Sequence, residues 1–419
     1  MNAPTTRHTI PDDTLREVAQ QHGTPCWVYD AAAIRGRIER LKKFGVVRYA
    51  QKANSNVHVL RLLRELGVVV DAVSLGEIER AVAAGFVGSG EPAGIVYASD
   101  ILDRTVLQRI AQLKIPVNIG SPQMLEQLAQ ASPGHAVWLR INPGFGSGFN
   151  RKTNTGGEFS KHGIWHENVQ ECYGLIRRHE LQLVGLHMHI GSGADVGHLR
   201  RVCDAMVNEV RKCPIDIQAV SAGGGLPATY REGDKELDVG EIFDVWSAAR
   251  ATIEAHLGHP VSLEIEPGRY VVANSGCLVS EVRAKKSVGA NQFVLVDAGF
   301  NDLMRPSMYG SFHQIEIVPQ AGAPARGNVR PTIVGGPLCE AGDLFTQEAG
   351  GGIVTQDMPE PEVGDLAVFN DAGAYCASMS SNYNSRTLAP EVLLDGGSRR
   401  LIRRRQRMDE LLALELSCD

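Results

Sequence analysis

The sequence has no closely spaced pair of cysteines. Its eight cysteines are scattered without a Cys-x-x-Cys pair, at positions 26, 172, 203, 213, 277, 339, 376 and 418. Disulfide scaffolds and structural zinc sites both need clustered cysteines, so this spacing argues against either. The cysteines are therefore expected to be reduced thiols, one of which is a candidate for catalysis.

Long apolar runs and an excess of positive charge are also missing. The first 13 residues are polar and include Pro4 and Pro11, and no later run approaches the length of a membrane span. The 42 basic and 48 acidic residues give a net charge of −6. This balance gives no electrostatic reason to expect nucleic acid or an anionic membrane as partner. We therefore expect a cytoplasmic protein that binds a small molecule.

Strand-like and helix-like stretches alternate through the first two thirds of the 419-residue chain, which is long enough for two domains. Eight β-rich runs are predicted as strands: 46–50, 68–73, 94–98, 117–119, 137–141, 183–190, 217–221 and 261–265. Between them, Ser121-Pro122 is predicted to start a helix and Gly85 to close one. Eight strand–helix units predict an α/β fold, a (β/α)8 TIM-type barrel rather than an open sheet.

After Ser275 the sequence changes to β-rich segments with many Gly and Pro turns. Predicted strands include 293–297, 331–334, 365–369 and a hairpin in 392–402 that turns at 395–397. These predict a C-terminal all-β domain of sandwich or barrel type. The earlier run Cys26–Tyr29 is predicted to add a strand to it. The expected division is an N-terminal segment 1–33, a barrel 34–275 and a β domain 276–419.

The carboxyl end is rich in arginine and is followed by a helical pattern over Met408–Leu416. Six arginines lie between positions 399 and 407. A phosphate or nucleic-acid patch is one interpretation. The acidic neighbours Asp409 and Glu410 and the acidic chain as a whole favour a solvated face or a subunit contact.

Polar residues collect at the predicted carboxyl ends of the barrel strands, where such barrels place their chemistry. The set is Lys52, Asp71, His189, Glu266 and the glycine-bearing turns 191–193, 223–225 and 266–269. Each turn can point backbone N–H groups inward and Ser192 adds a hydroxyl, so together the turns predict a phosphate cradle. A lysine beside such a cradle indicates pyridoxal phosphate, whose aldehyde forms an imine with an amine.

These residues then have definite roles toward the cofactor. Lys52 would supply the amine, and His189 would lie against the face of the ring. Glu266, as a carboxylate at the pyridine nitrogen, would keep that nitrogen protonated. The protonated ring can then accept the electrons left at the substrate α-carbon.

Plainer interpretations stay open. Lys52 on its own is more often a solvated loop charge, since most loop lysines do no chemistry. His187 and His189 stand at i and i+2 of a strand, and such a pair binds zinc in some barrel hydrolases. His187 alone is better interpreted as a core histidine satisfied by hydrogen bonds.

Taken together, these residues resemble the fold-type III pyridoxal-phosphate decarboxylases, and within them the meso-diaminopimelate decarboxylase family in its enterobacterial-like branch. The resemblance covers nearly the whole chain and rests on nine motifs in order: YAQKANSN at Tyr49, VSLGEIERA at Val73, KTNTGGEFSKHGIW at Lys152, LHMHIGSG at Leu186, SAGGG at Ser221, EIEPGRY at Glu264, VDAGFNDLMRPSMYG at Val296, GPLCEAGD at Gly336 and DAGAYCASMSSNYNSR at Asp371. A single motif is weak or moderate evidence for this family, but nine motifs in the right order are highly specific for it. Gln51 and His162 are less usual in the wider family and fit this branch.

The resemblance implies an alanine racemase-like barrel and assigns roles to individual residues. It implies that Lys52 forms the imine with pyridoxal 5'-phosphate and that Glu266 partners the pyridine nitrogen. Cys339 is implied as the acid that returns a proton to the α-carbon. Cys339 and Glu340 come from the other subunit in this family, which implies an obligate homodimer with shared sites. The implied cofactor contacts are Lys52, Asp71, His189, Ser192, Gly224, Gly225, Glu266, Gly268, Arg269 and Tyr375.

The resemblance also implies the substrate. Diaminopimelate carries an amine and a carboxylate at its distal end, whereas ornithine carries only an amine, and a carboxylate suits a guanidinium. Arg269, Arg305 and Tyr309 match the family's carboxylate clamp. Glu340 would take the distal ammonium, and Tyr375 would also contact the substrate. The implied reaction is decarboxylation of meso-2,6-diaminopimelate at its D-centre to L-lysine and carbon dioxide.

Three other functions stay open from the sequence. The first is decarboxylation of ornithine, carboxynorspermidine or a siderophore precursor, which a substrate panel would reveal. The second is a catalytically silent regulator with this fold, which would bind cofactor without turnover. The third is a zinc hydrolase, which metal analysis would reveal.

Overall fold

The computed structural model describes residues 10–146, 154–189, 191 and 195–418. The described helices are α1 Asp12–His22, α2 Ala31–Leu41, α3 Val57–Glu65, α4 Leu75–Ala83, α5 Arg104–Leu113, α6 Pro122–Ala131, α7 Val169–Arg178, α8 Val196–Lys212, α9 Val239–Leu257, α10 Arg269–Val272, α11 Arg305–Tyr309 and α12 Met408–Leu416. The described strands are β1 Cys26–Asp30, β2 Val46–Ala50, β3 Val69–Ala72, β4 Ile95–Tyr97, β5 Val117–Ile119, β6 Ala136–Asn142, β7 Ile164–Trp165, β8 Gln182–His187, β9 Ala219–Ser221, β10 Ser262–Ile265, β11 Gly276–Val288, β12 Asn291–Val296, β13 Ile315–Val318, β14 Val329–Gly335, β15 Gln356–Pro359, β16 Leu366–Phe369, β17 Glu391–Asp395 and β18 Ser398–Arg403.

Eight of the described strands close into a parallel barrel. Pairing runs through β2, β3, β4, β5, β6, β8, β9 and β10, and β10 returns to β2. These eight strands overlap the eight predicted runs, so the barrel prediction is confirmed. The two-residue strand β7, which pairs with the end of β6, is too short for a sequence pattern to reveal.

The barrel strands are apolar because parallel strands covered by helices are buried on both faces. Among their buried charged side chains, Arg48 and Glu264 form an ion pair. Arg48 Nε lies 2.9 Å from Glu264 Oε2, and Arg48 Nη1 donates to the carbonyls of Val70 and Ala93. Breaking such a buried pair by removing one partner costs about 3–5 kcal/mol, because the other charge stays buried and unpaired.

Helices of the barrel begin just after the strands, with capping residues at their starts. The Ser74 and Asp103 side chains accept hydrogen bonds from backbone N–H groups at the starts of α4 and α5. Ser121 takes the N-cap position of α6 with Pro122 in the first turn, as predicted, although Ser121 makes no side-chain capping bond. Gly85 follows α4 with a φ of 92°, a conformation that suits the glycine predicted to close this helix.

The described residues divide into two compact units. Those of Arg35–Pro227 and Glu236–Val271 form the barrel unit, and those of Met1–Ile34, Ala228–Lys235 and Val272–Asp419 form the β-rich unit. The sequence pattern does not indicate that Ala228–Lys235, which follows β9, joins the β-rich unit.

The β-rich unit contains a sheet with the strand order β15, β14, β12, β11, β1, β17, β18, and β16 pairs with both β11 and β13. Strand β1 pairs antiparallel with β11 and parallel with β17. The N-terminal strand is thus part of this sheet. Strands β17 and β18 form a hairpin at the predicted turn.

The arginines near the carboxyl end hold this unit together. Arg403 Nη1 lies 2.9 Å from Glu391 Oε1, and Arg405 donates to backbone carbonyls at Thr24 and Pro25. Arg404 pairs with a glutamate in α12. These arginines thus make ion pairs and hydrogen bonds within the unit.

Candidate active site

Five polar side chains lie at the carboxyl ends of neighbouring barrel strands. Lys52 occupies a 3-10 turn directly after β2, and Asp71 lies near the end of β3. His187 ends β8, Ser221 ends β9 and Glu266 follows β10. Because these five strands are consecutive in the barrel, their side chains lie at one mouth. The sequence pattern predicts Lys52, Asp71 and Glu266 in this set, but not His187 or Ser221.

Glu266 is held as a carboxylate by two donors. His187 Nε2 lies 2.8 Å from Glu266 Oε2, and Ser221 Oγ donates to Glu266 Oε1 at 3.0 Å. Burial alone would raise the pKa of Glu266, but the charge and hydrogen bond of His187 outweigh it and lower the pKa to about 2. His187 is therefore more than the satisfied core histidine that the sequence indicates. Its Nδ1 is buried without a hydrogen-bond partner among the described residues.

Asp71 differs from Glu266 because its pKa is raised rather than lowered. It is buried, and burial raises the pKa of its carboxyl to about 7 even though the charge of Lys52 lowers it. Its Oδ1 has no hydrogen-bond partner within the described parts of the chain. Lys52 itself is exposed. The mouth thus combines an accessible amine with a carboxyl that titrates near neutral pH.

His189 presents a neutral imidazole. Burial, together with the charges of Arg140 and Lys52, lowers its pKa well below the usual value. The Gly224 N–H donates to His189 Nδ1 at 3.1 Å, so the ring proton must be on Nε2. The orientation and tautomer of His189 are therefore fixed by the glycine turn that follows β9.

The glycine turn 223–225 packs against the turns that follow β8 and β10. A Cβ on Gly224 would lie 2.3 Å from the carbonyl oxygen of Glu266, and a Cβ on Gly225 would lie 2.2 Å from that of Gly191. Gly225 also has a φ of 94°, which favours glycine. The turn 223–225 thus contacts Gly191 and Glu266, which belong to the other two predicted cradle turns, and only glycine allows these contacts.

Two further residues predicted at this cradle, Gly268 and Arg269, lie on the turn after β10. Gly268 is buried, and Arg269 is half-buried at the start of α10. Ser192 lies outside the described residues, as does the start of the KTNTGG motif.

A half-buried acid that follows β4 is not predicted by the sequence. Asp100 accepts hydrogen bonds from His162 Nδ1 and from the Gly163 N–H. Burial alone would raise the pKa of Asp100, but the His162 hydrogen bond and the charge of Arg140 lower it. The unusual His162 of this branch thus positions an aspartate, which its sequence context did not indicate.

Arg305, at the start of α11, is buried against neutral groups. Its Nη1 donates to His313 Nε2 at 3.0 Å, and its Cζ lies 4.9 Å from the centre of the Tyr230 ring. Within the described residues it forms no ion pair, although buried charges are ordinarily paired. The sequence predicts neither partner, because no periodicity relates His313 or Tyr230 to Arg305.

Cys339 and Glu340 are exposed in a loop of the β-rich unit whose backbone makes hydrogen bonds to side chains. The Cys339 N–H donates to Asn384 Oδ1 at 3.0 Å. The Asp343 carboxylate accepts from the Leu338 N–H at 2.7 Å, which closes the loop from the other side. All eight cysteines are free thiols, and only Cys339 and Cys418 are exposed. Cys339 is thus an accessible thiol on a fixed backbone.

The two tyrosines predicted at the site also belong to the β-rich unit. Tyr309 is half-buried at the end of α11, and the Gly310 that follows could carry no Cβ, which would lie 1.9 Å from the Ala349 nitrogen. Tyr375 is half-buried with a φ of 58°. Such a conformation is strained for a residue other than glycine and clusters at functional sites.

The zinc interpretation of His187 and His189 finds no support in their contacts. His187 Nε2 is bound to Glu266 and His189 Nδ1 to the Gly224 N–H. In the described ranges, no group of three or more His, Cys, Asp or Glu residues is arranged to hold a metal ion.

Comparison with known proteins gives consistent matches. A family model described as "Pyridoxal-dependent decarboxylase, pyridoxal binding domain" matches residues 32–273. A diaminopimelate decarboxylase from Streptomyces coelicolor is 60% identical over 402 residues, covering 96% of this chain and 91% of its own. The diaminopimelate decarboxylase of Escherichia coli K12 is 57% identical over 405 residues, 96% of each chain. A crystal structure of diaminopimelate decarboxylase is similar with a TM-score of 0.95 and 56% identity, covering 99% of this chain and 98% of that one.

Proposed function

The chain belongs to the family of pyridoxal-dependent decarboxylases, and we infer from this membership that it decarboxylates meso-2,6-diaminopimelate. The reaction removes the carboxylate at the D-centre and gives L-lysine and carbon dioxide, the last step of lysine biosynthesis. The cofactor is pyridoxal 5'-phosphate. The two relatives described above match this chain over nearly its whole length.

The barrel mouth fits this cofactor. It offers a lysine amine, a carboxylate that stays ionised, a neutral imidazole and contacting glycine turns. When bound, the cofactor supplies an aldehyde that links to an amine and a protonated ring that takes up the electron pair left by carbon dioxide. Lys52 would provide the amine, and Glu266 would hold a proton on the ring nitrogen. The other cofactor contacts are Asp71, His189, Ser192, Gly224, Gly225, Gly268, Arg269 and Tyr375.

The ionised state of Glu266 is the observation that best supports these roles. A carboxylate with a pKa of about 2 keeps its charge at any physiological pH. It can therefore hold a proton on a neighbouring ring nitrogen throughout the reaction. Without the charge and hydrogen bond of His187, burial would favour the neutral acid, which cannot do this.

Arg305 supports recognition of the distal carboxylate. A buried guanidinium with no ion pair inside the described structure retains its full charge for an anionic ligand, and its donors suit a carboxylate. Arg269 and Tyr309 complete this clamp, while Glu340 takes the distal ammonium and Tyr375 also contacts the substrate. Ornithine lacks the distal carboxylate, so the clamp selects against it.

Labelling with borohydride tests the central assignment. The purified protein is expected to be yellow, and borohydride should fix the cofactor onto one peptide. That peptide should contain Lys52, and Lys52→Ala should abolish the labelling. A labelled peptide from elsewhere in the chain would show that the assignment is wrong.

Cys339 is the proposed proton donor, and it acts across a homodimer. Its exposure on a fixed loop suits a thiol that serves a site on a second chain. Each site would then combine Lys52 with Cys339 of the partner subunit. Mixing inactive Lys52→Ala and Cys339→Ala proteins should therefore restore part of the activity through hybrid dimers. Absence of any recovery, with subunit exchange verified by size and mass, would mean that each chain builds its own site.

Location of the reaction in the cytoplasm also stays a prediction. No helix in the described part of the chain combines the length and hydrophobicity that a membrane span needs. Cell fractionation would test the location directly.

A further inference from the structure

His313 lies at the centre of the contacts around Arg305. The two side chains are buried, with 2% of His313 and 5% of Arg305 exposed. His313 Nε2 lies 3.0 Å from Arg305 Nη1, and His313 Nδ1 lies 2.8 Å from the backbone carbonyl oxygen of Asn370. Both ring nitrogens of this buried imidazole thus have a hydrogen-bond partner.

These two partners permit a single protonation state of His313. A carbonyl oxygen only accepts hydrogen bonds, so Nδ1 must carry a proton. A guanidinium only donates, so Nε2 must be bare. His313 is therefore neutral with its proton on Nδ1, and it acts as an acceptor that points the guanidinium in one direction.

Neighbouring groups fix the imidazole and the other side of the guanidinium. The Gln356 amide donates to the backbone carbonyl of His313 at 2.9 Å, which holds the residue in place. The Tyr230 ring meets the His313 ring edge to face, with centres 5.8 Å apart, and also contacts the guanidinium. The Asp234 carboxylate accepts from the Tyr230 N–H at 2.7 Å, so Tyr230 is itself fixed.

The arrangement orients Arg305 without neutralising it. A carboxylate in the place of His313 would also accept from Arg305, but it would cancel the charge that an anionic ligand needs. A neutral imidazole and an aromatic ring hold the guanidinium and leave its charge available. A histidine rather than an acid at position 313 therefore orients Arg305 and leaves its charge available to an anionic ligand.

We propose that His313 is a positioning residue, which orients Arg305 toward the carboxylate at the non-reacting end of the substrate. This inference rests on the proposed function of Arg305. L-Lysine keeps that carboxylate after the reaction, whereas cadaverine, the same diamine without it, does not. The two ligands therefore separate an effect on the clamp from a general effect on the site.

Two substitutions separate the two bonds of His313. In His313→Gln, the amide oxygen can take the place of Nε2 and accept from Arg305. In His313→Asn, the shorter amide can take the place of Nδ1 and donate to Asn370, but nothing reaches Arg305. Binding of L-lysine and cadaverine to each cofactor-loaded variant is measured by calorimetry, and KM and kcat are measured with diaminopimelate.

The Asn variant is expected to bind L-lysine at least 10-fold more weakly and to raise KM similarly, with kcat changed less than 3-fold. The Gln variant should stay within about 3-fold of the parent for all three quantities, because an acceptor for a charged donor is restored. Cadaverine binding should not change in either variant. Equal losses in both variants, or an equal loss of cadaverine binding, would overturn the proposal.

Arg305→Lys separates this proposal from the proposed function. If L-lysine binding survives that change, the clamp assignment itself fails, whatever the His313 variants do. Nitrogen NMR of the histidine rings in the parent protein adds a test that needs no folding of the Asn variant. With the signal assigned through the Gln variant, His313 should be neutral and protonated on Nδ1 at pH 7. A proton on Nε2, or on both nitrogens, would contradict the inference.

Discussion

The titration of Asp71 predicts how the stability of this protein depends on pH. Burial raises the pKa of Asp71 from 3.8 to about 7. The folded protein therefore keeps this proton at pH values where the unfolded chain has already lost it. Because the folded state binds more protons in this window, the free energy of unfolding falls as the pH rises from about 4 to 7.

Asp71→Asn removes this titration and keeps the size and polarity of the side chain. Each pH unit within the window costs the parent about 1.4 kcal/mol, so the parent loses roughly 2–3 kcal/mol between pH 5 and pH 8 from this group. The loss levels off above the folded pKa. The variant should therefore gain that amount relative to the parent on going from pH 5 to pH 8, or roughly 2–4 °C in melting temperature for a chain of this length.

Scanning calorimetry of the cofactor-free proteins at pH 5, 6, 7 and 8 measures this difference. The cofactor must be absent because the charge of Lys52 enters the pKa of Asp71. Asp100→Asn is the matched control, since the pKa of Asp100 is lowered and its ionised form stabilises the folded state. That variant should be less stable than the parent at all four pH values. A melting difference for Asp71→Asn that stays constant from pH 5 to pH 8 would refute the reasoning.

Two further changes test the mouth of the barrel. His187→Leu should raise the pKa of Glu266, because burial is then less opposed, and should weaken cofactor binding more at pH 6 than at pH 8 in an absorbance titration. His187→Gln, whose amide can donate in place of Nε2, should bind the cofactor like the parent. Equal losses of cofactor binding at both pH values in His187→Leu would contradict this role of His187. Gly225→Ala places a Cβ 2.2 Å from the Gly191 carbonyl oxygen. The cofactor Kd should therefore rise at least 10-fold in equilibrium dialysis. An unchanged Kd would mean that this turn is not part of the phosphate cradle.

The barrel could be predicted from the sequence because its strands have an unambiguous composition. Buried parallel strands are rich in apolar residues, and β4 is wholly apolar and buried. Strands β2, β5 and β10 also carry polar or charged residues, but apolar neighbours flank these in the sequence. Strand β11 is harder to predict, since its second half is exposed and charged. Helix α1 is also missed, because its polar start with two aspartates resembles a loop.

The sequence could predict only those site residues that directly follow a recognisable strand. Lys52 and Glu266 follow strands that the pattern identifies, and parallel strands bring such residues to one mouth. Tyr230, Arg305 and His313 are brought together by turns whose geometry leaves no periodic signal. A resemblance can indicate that Arg305 matters, but it does not reveal which neutral groups orient it.

The two carboxyl groups at the mouth, Asp71 and Glu266, differ in pKa because their local contacts differ. Both Asp71 and Glu266 are removed from water, and burial alone would keep each of them neutral. His187 and Ser221 both donate to Glu266, and the charge and hydrogen bond of His187 lower the pKa of Glu266 to about 2 despite burial. Asp71 keeps an oxygen without a partner among the described residues, and burial raises its pKa to about 7. Glu266 is thus a permanent charge, suited to holding a proton on a ring nitrogen. Asp71 can take up or release a proton near neutral pH beside the amine of Lys52, which must change protonation state whenever it exchanges with a substrate amine.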